Sequence, residues 1–445
     1  MIMKTLIKLI ILSILSASPI YADNVRKAQA LLNDLGFNPG PVDGQYGRKT
    51  DDALTRFYNL QEMKFDGQLD ENEIYDLEEE TSKFQNSPSQ ITFPDYYYTT
   101  EIKSCKEMGR KSFKYKDNKN SVEALIGYDW PADHAKNSNS QNVQHSRITK
   151  PIKIFMQATH YAISENDENS INIAKDLLLR MAASDTLYDS IGFNAVRKKP
   201  LCYANGDPNS PCWYHQYEFA RGVFSNYMIA ALWLKKELSK GEYEIVDRYI
   251  DKMYKKFLQP IELSKQEQGF YQMANGGLSI LIYASWSNNK NLAADEINFR
   301  FKQMNRVIFS DGYINNNSFR GVRSQWYHSY GLNIALGYAY IADLWGAQIP
   351  KTLHHKLINA AKIVNLAITD WEKFKSRQFV GENRNEIKGQ ENAIEHTHQM
   401  AISIDTLMSI ITGIELESDP AYLKKREYHA GDGVDDLIGF NANCI

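Results

Sequence analysis

The sequence lacks several features that would assign it to common classes of protein. After residue 22, no apolar run approaches the roughly 20 residues that a membrane-spanning helix needs. No alternation of apolar and polar residues is long enough to predict a substantial β-sheet, and no exact repeat indicates a short-period solenoid. The whole chain has a net charge of −3, and its larger part is only mildly basic, far too weak a bias to argue for nucleic-acid binding. These absences leave a soluble, largely helical protein.

The first 22 residues predict where the protein acts. Lys4 and Lys8 stand ahead of and within an apolar run that ends at the small residue Ala22. This pattern is typical of a cleavable secretory signal peptide, and the run is too short for a stable membrane span. We therefore expect a mature chain that begins at Asp23 and is periplasmic or secreted.

Cysteine is scarce, with four residues in the whole chain. In an exported protein, four cysteines predict two disulfides, and their spacings do not resemble those of a zinc site. Cys202 and Cys212 bracket a loop rich in turn-forming residues, so we expect them to be bridged. Cys105 and Cys444 would then pair and join the start of the large domain to its C-terminus. No metal or other cofactor is predicted.

Composition divides the chain into two domains. Residues 23–80 carry 6 basic and 14 acidic side chains, so the rest of the mature chain is mildly basic and favours an anionic ligand. Residues 81–98 are polar and interrupted by proline, which is typical of a linker. The predicted organisation is a signal peptide at 1–22, a small domain at 23–80, a linker at 81–98 and a large domain at 99–445.

The small domain predicts three helices separated by turns that contain glycine. It strongly resembles the peptidoglycan-binding domain of bacterial cell-wall proteins, through Ala28, Gln29, Leu32, Leu35, Gly36, Phe37, Pro39, Gly40, Val42, Asp43, Gly44, Tyr46, Gly47, Thr50, Ala53, Leu54, Phe57, Asp66 and Gly67. The glutamine that usually follows the phenylalanine is Tyr58 here. The resemblance implies a tether that binds peptidoglycan; the alternative is a helical spacer that binds nothing.

Beyond residue 149 the chain predicts an all-α fold. Apolar residues recur at three- and four-residue spacing over 152–164, 170–183, 217–238, 242–258, 271–287, 292–309, 325–344, 353–371 and 390–414. Long loops interrupt the helices at 186–213, 309–324 and 372–390. Helix pairs with elaborate loops at one end indicate an α/α toroid, or incomplete α/α barrel, with a cleft at one face.

A candidate site lies where a polar loop becomes an apolar helix. Two cations, a histidine and three aromatic residues fall within 11 residues there: Arg320, Arg323, Trp326, Tyr327, His328 and Tyr330. Cations beside tyrosine hydroxyls and an imidazole suit proton transfer on an anionic substrate, and aromatic faces suit sugar rings. The alternative is a helix N-terminus with an aromatic core stripe and two solvated arginines.

The same segment resembles the alginate lyases of polysaccharide lyase family five over roughly 265–345. The resemblance is carried by Asp311, Gly312 and Tyr313, the two arginines, and then Tyr327, His328, Ser329 and Tyr330. Upstream, Asn275 and Gly276 stand where that family has an asparagine followed by a histidine.

The resemblance implies β-elimination on a uronic-acid polymer. Asn275 and Arg320 would neutralise the uronate carboxylate, and Tyr327 would protonate the departing glycosidic oxygen. The family's histidine base falls at Gly276, so either Tyr327 makes both proton transfers or another histidine has replaced the base. His215 is the leading substitute. Substrate-binding roles would fall to Arg323, Trp326, His328, Tyr330, Tyr214 and Tyr217.

Two other function classes stay open from the sequence. The first is a glycoside hydrolase on the same fold, which needs a pair of carboxylates across the cleft. The candidate carboxylates are Glu218, Asp311, Glu391 and Glu395, and the sequence marks no two of them as the pair. The second is a polysaccharide-binding protein without catalytic activity, because Gly276 stands where the resembled family has its histidine base. His396 and His398 could cap the cleft, but their spacing does not place both on one helical face for a metal.

Overall fold

The computed structural model describes residues 19–102, 122–123, 125–127, 150–186, 193–194, 199–202, 210–211, 224–259, 262, 277–315, 317–319, 324–377, 404–417, 438, 440, 442 and 445. Helices dominate this part of the chain, as the apolar periodicity predicts. None of the described helices combines the length and apolarity needed to cross a membrane.

Three helices form the N-terminal domain: α1 (Pro19–Asp34), α2 (Arg48–Leu60) and α3 (Glu71–Ser82). Helix α1 packs against both of the others. Helix α3 begins at a capping box, in which Asp70 accepts from the Asn72 backbone N–H and Glu73 accepts from the Asp70 backbone N–H. The turn after α1 uses Gly36 at a φ of +76°, a conformation that favours glycine.

Ten further α-helices lie in the described part of the chain. They are α4 (Lys150–Ser164), α5 (Glu168–Ala183), α6 (Ser225–Leu234), α7 (Lys240–Met253), α8 (Gly277–Trp286), α9 (Lys290–Val307), α10 (Ser324–Leu344), α11 (Lys351–Thr369), α12 (Trp371–Ser376) and α13 (Ile404–Thr412). A π-helical turn, Tyr254–Leu258, extends α7. Three short antiparallel strands, β1 (Phe193–Asn194), β2 (Lys199–Cys202) and β3 (Ser210–Pro211), lie between α5 and α6 in the chain.

Short and long connections alternate along the large domain. Short ones join α4 to α5, α6 to α7, α8 to α9 and α10 to α11, at 165–167, 235–239, 287–289 and 345–350. Such short connections join antiparallel neighbours. Longer stretches of sequence separate the described helices before α6, α8, α10 and α13, at 184–224, 259–276, 308–323 and 377–403. The described helices of the large domain therefore form a series of hairpins.

Two first members of these hairpins, α6 and α8, run parallel to one another. The hydroxyls of Ser225 and Ser279, at the starts of α6 and α8, lie 2.5 Å apart. At the other ends of the two helices, Lys235 donates to the carbonyl of Trp286 at 3.0 Å. All ten residues of α6 are buried, so this helix lies within the core.

Two second members, α5 and α7, also run parallel. They are joined by Lys175 in the middle of α5 and Glu242 near the start of α7, at 3.5 Å, and by Asp185 and Lys252 near the ends of the two helices, at 2.6 Å. The starts of α6 and α8 and the ends of α5 and α7 therefore lie at the same end of the domain, where the longer separating stretches of sequence begin and end. We call it the long-connection end.

The predicted linker packs closely against the large domain. Tyr97 and Tyr98 are buried, and their carbonyls accept hydrogen bonds from Trp345 Nε1 and the Tyr340 hydroxyl, both at 2.9 Å. Phe440 stacks on Tyr98 with ring centroids 4.6 Å apart. This segment therefore fixes the path of the chain between the two domains.

Two residues near the end of the chain pack among the first-member helices. Ile438 and Phe440 are fully buried. Gly337 of α10 lies directly against the Ile438 side chain. A Cβ atom added to Gly337 would be 2.5 Å from the Ile438 side chain and 3.9 Å from the Leu278 side chain of α8. Ile438 therefore fills space between α8 and α10.

The two domains share a buried polar interface. Glu80 of α3 accepts from the backbone N–H and the hydroxyl of Thr352 at 2.6 and 2.8 Å, and the Glu80 side chain is 2 % exposed. Asn298 of α9 accepts from the backbone N–H of Asn86 at 2.7 Å. Asn305, also on α9, donates to the carbonyl of Leu35 at 2.8 Å. These contacts join the C-terminal turns of α1 and α3 to α9 and α11.

Lys356 lies at the centre of this interface. Its fully buried amine donates to the carbonyls of Leu35 and Asn305 at 3.2 and 2.5 Å, and it stands 4.9 Å from the centre of the Phe37 ring. Burial lowers the pKa of Lys356 to about 7. A neutral amine keeps two N–H donors, so both carbonyls stay paired in either protonation state.

We expect stability to rise with pH in a way that depends on Lys356. Its pKa is about 7 in the folded protein and about 10.4 in an unfolded chain, so the unfolded state binds more protons between these values. The free energy of unfolding should therefore increase from pH 7 to pH 10 in wild type relative to Lys356→Met, which cannot titrate. Melting temperatures measured across this range test the expectation.

Lys362→Met supplies the matched control, because Lys362 is exposed on the same helix. This variant should follow the pH trend of wild type. The same trend in all three proteins would contradict the assignment to Lys356.

Candidate functional site

Of the predicted catalytic residues, Tyr327 lies in the described part of the chain. Tyr327 lies in the first turn of α10, and Asn275 directly precedes α8 in the sequence. Asn275 itself lies outside the described residues, as do Arg320, Arg323, His215, Tyr214 and Tyr217. Trp326 belongs to α10, but its side chain is also outside the described part.

Tyr327 is the predicted catalytic residue whose position the structure gives. Its side chain is half-buried, between the fully buried helix core and solvent. Its carbonyl accepts a hydrogen bond from the Asn317 amide at 2.9 Å, which ties the preceding loop to the first turn of α10. A half-buried tyrosine at such an edge can offer its hydroxyl to a ligand while its ring is held by packing.

His328 is in the protein interior and not on an accessible surface. Its Nε2 donates to the carbonyl of Ala360 at 3.0 Å, and its Nδ1 accepts from the Ser318 hydroxyl at 2.7 Å. Ser318 accepts in turn from the Ile314 backbone N–H at 2.7 Å. Burial lowers the pKa of His328 to about 4, so the imidazole is neutral near neutral pH. The ring fastens the loop before α10 to α11, and this position corrects the substrate-binding role predicted for it.

Tyr330 is also buried, with 2 % of its surface exposed. It lies one turn of α10 beyond Trp326, within the main hydrophobic core. The Tyr330 ring therefore has almost no exposed surface with which to bind a substrate, as its predicted role would require. Sequence reasoning left an aromatic core stripe open as an alternative, and Tyr330 fits that alternative.

The segment of Asp311, Gly312 and Tyr313 forms a tight turn against α11. Gly312 has a φ of +91°, and a Cβ at this position would lie 2.4 Å from the backbone carbonyl of Asn359. The Tyr313 hydroxyl donates to the carbonyl of Phe374 at 2.9 Å. Burial raises the pKa of Tyr313 to about 12, and the Asp311 carboxylate adds to the shift. This segment thus shapes the loop that precedes α10.

Sequence reasoning missed Arg377, which reaches this turn from the end of α12. Its guanidinium pairs with Asp311 at 2.8 Å and lies 5.5–5.8 Å from the ring centres of Phe309, Tyr313 and Phe319. Cations at this distance from aromatic faces are stabilised by the ring quadrupole. Because Asp311 is paired with Arg377, it is a poor candidate for one of two hydrolytic carboxylates. The other candidates, Glu218, Glu391 and Glu395, lie outside the described residues, as do His396 and His398.

Two buried polar groups at the start of α10 were also missed. Gln325 and Ser329 are each 1 % exposed, and among the described residues neither the Gln325 amide nor the Ser329 hydroxyl has a hydrogen-bond partner. They stand four residues apart and therefore share one face of the helix. Unpaired buried polar groups are costly, so they indicate a place where water or a ligand completes the hydrogen bonding.

In the N-terminal domain, Gln29 organises the glycine-rich turn. Its Oε1 accepts from the backbone N–H groups of Asp43 and Gly44, both at 3.0 Å. Its Nε2 donates to Asp43 Oδ1 and to the carbonyl of Gln45, both at 3.1 Å. A buried amide that satisfies four groups rigidifies the turn.

Tyr58, which replaces the usual glutamine, has a structural place. Its hydroxyl donates to Asp76 at 2.8 Å, and its ring stacks on Phe65 with centroids 5.6 Å apart. Burial and then the hydrogen bond to Asp76 raise the pKa of Tyr58 well above its usual range. The replacement therefore joins α2 to α3 and leaves the three-helix fold intact.

Comparison with known families agrees with this geometry. Residues 21–75 match the family model described as "Putative peptidoglycan binding domain". This region is a peptidoglycan-binding domain. The matched residues comprise α1, α2 and the start of α3, including Gln29 and the turn that it holds. No curated protein matches the chain.

The predicted disulfides stay predictions. Cys202 is the last residue of β2, and its side chain is not described. Cys212, Cys105 and Cys444 lie outside the described residues.

We expect Gly312→Ala to destabilise the large domain. The added methyl group would collide with the Asn359 carbonyl, at the 2.4 Å separation given above, and alanine disfavours a φ of +91°. Together these effects should lower the free energy of unfolding by about 2 kcal/mol or more, measured by urea denaturation.

Gly241→Ala is the control, because nothing lies within 4 Å of a Cβ at that position in α7. Alanine favours a helix by about 1 kcal/mol over glycine, so this variant should be neutral or more stable. Equal stability of the two variants would show that the turn does not need glycine.

Proposed function

We propose that the chain is an exported polysaccharide lyase that cleaves a uronic-acid-containing, alginate-like polymer by β-elimination. In this proposal the N-terminal domain attaches the enzyme to peptidoglycan. The large domain would be an α/α toroid whose cleft opens at the long-connection end.

One observation carries the proposal. The alternation of short and long connections brings the starts of α6 and α8 together, as the contact between Ser225 and Ser279 indicates. Helix α10 also follows a long connection, and half-buried Tyr327 lies in its first turn. His215 and Asn275 precede α6 and α8 by ten residues and two residues in the sequence. Ligand sites in helical folds form between helices, so such an arrangement suits one cleft.

The chemistry explains why these residue types are needed. β-Elimination removes the proton at C5 of the uronate, beside its carboxylate, and expels the oxygen at C4. Charge that develops on the carboxylate would be offset by Asn275 and Arg320, each donor contributing about 10²–10³ in rate. Tyr327 would give its proton to the departing oxygen, a step that contributes about 10²–10⁴.

The proton at C5 needs a base. With Gly276 at the position of the family's histidine, the base is either Tyr327 itself, as a tyrosinate, or His215. A nearby Arg320 would favour the tyrosinate, since a close positive charge stabilises the ionised phenol. His328 does not serve in this role in our proposal, because both of its ring nitrogens bond to the protein.

Ultraviolet absorbance of unsaturated uronates gives the test. Purified protein incubated with a panel of uronic-acid polymers should raise this absorbance, because elimination leaves a double bond between C4 and C5. New reducing ends without the absorbance would instead support a glycoside hydrolase. The absence of both signals would support a protein that only binds polysaccharide.

We expect Tyr327→Phe to lower turnover at least about 10²-fold on any polymer that wild type cleaves. Only a hydroxyl is removed, so the melting temperature should change little. Tyr340→Phe is a matched control: Tyr340 is on the same helix, and its hydroxyl donates to the Tyr98 carbonyl at the opposite end. It should keep full activity. Full activity of Tyr327→Phe would refute the assignment.

Wall attachment has its own test. The full chain should co-sediment with purified sacculi, and added soluble uronic polymer should not release it, because a separate domain makes the attachment. Protein that stays in the supernatant at low salt would contradict the tether while leaving the lyase proposal standing.

A further inference from the structure

A pocket of about 230 Å³ lies where the N-terminal domain meets α9. One wall comes from the end of α1 and the segment after α3, with Asp34 and Phe84. The other wall comes from α9, with Phe299, Lys302 and Arg306. The family model for residues 21–75 does not extend to Phe84 or α9.

The charges of this pocket favour an anion. Lys302 and Arg306 are exposed and stand four residues apart, so they share one face of α9. Among the described residues, neither makes an ion pair or a side-chain hydrogen bond. Asp34 is the acidic side chain of the lining, so the pocket keeps an excess of one positive charge. Unpaired lysine and arginine side chains at this spacing suit a carboxylate.

The pocket also has features that suit a sugar. Phe299 is half-buried and presents an aromatic surface beside the two cations, with Phe84 buried next to it. The Thr81 hydroxyl donates to the Leu77 carbonyl at 2.7 Å, which leaves its oxygen as an acceptor for a ligand hydroxyl. Aromatic surface with a few polar groups is the usual lining of a carbohydrate site.

The walls are held at a fixed separation. Leu35, which also lines the pocket, accepts at its carbonyl from Asn305 and Lys356. The pairing of Asn86 with Asn298 holds the segment after α3 against α9. A site whose walls are already in place binds without the cost of ordering them.

We propose that this pocket binds the peptidoglycan strand through its carboxylates, so that Lys302 and Arg306 of the large domain complete the wall-binding surface of the N-terminal domain. The inference rests on the proposed wall attachment. It assigns the ligand class of carboxylate-bearing glycan to a site that both domains build. A peptidoglycan strand combines sugar rings with lactyl and peptide carboxylates, which match the aromatic surface and the two cations.

The test uses the full chain with Lys302→Ala and Arg306→Ala combined. Its Kd for purified sacculi, measured by co-sedimentation at low salt, should rise about tenfold, because two charge-assisted contacts are lost. The matched control combines Lys240→Ala and Arg248→Ala, which remove one exposed lysine and one exposed arginine from α7. The control should bind like wild type and thus exclude a general effect of net charge.

The outcomes separate this inference from the proposed function. Wild type that binds sacculi and a Lys302→Ala/Arg306→Ala variant that binds equally well would overturn the pocket while leaving the tether. An equal loss of sacculus binding in the variant and in the α7 control would also overturn the inference. The same holds if the wild-type protein does not bind sacculi. Binding of a soluble polyuronate is measured as a second arm of the experiment. If the variant loses polyuronate binding and keeps sacculus binding, the pocket belongs to the polyuronate and our inference is wrong. Cleavage of polyuronate should be unchanged in the variant.

Discussion

A buried amine lies at the centre of the polar interface that holds the two domains of this protein together. Lys356 reaches from α11 to the Leu35 carbonyl just after α1 and to the Asn305 carbonyl in the last turn of α9, where the helix dipoles concentrate partial negative charge. The Leu35 carbonyl also accepts from the Asn305 amide, so one network satisfies carbonyls at both helix ends. Because Asn305 and Gly36 pack at the same point, with no room for a Cβ on the glycine, small displacements there would break several contacts together.

This interface changes what a wall-binding domain does here. A domain on a flexible chain samples many orientations, and its effect on a neighbouring site is one of local concentration. Here the N-terminal domain is held against α9 and α11, and the connecting segment is pinned by Trp345. Its orientation relative to the first turn of α10 is therefore constant. If the wall is bound through this domain, the long-connection end faces the wall in one defined way.

The helices were predictable because their apolar spacing reflects burial, as in α7, where the buried residues Val246, Tyr249, Ile250 and Met253 recur at three- and four-residue spacing. The fold of the N-terminal domain was predictable for another reason: Gln29, Asp43 and Gly44 form a local network whose residues are close in sequence. The role of His328 was not predictable, because its partners Ser318 and Ala360 come from segments that only the fold brings together. The docking of the two domains depends on contacts between residues more than 200 positions apart in the chain, such as Asn86 and Asn298. No local sequence pattern predicts such contacts.

The position of Ile438 and Phe440 has a consequence for how the molecule is made. Both are fully buried among helices that precede them by about 100 to 200 residues, and Gly337 leaves room for Ile438. Contacts of such sequence separation form late, because a long loop must close first. The core between α8 and α10 therefore cannot be completed until residue 440 has been synthesised. A chain interrupted before that point would expose apolar surface on both helices.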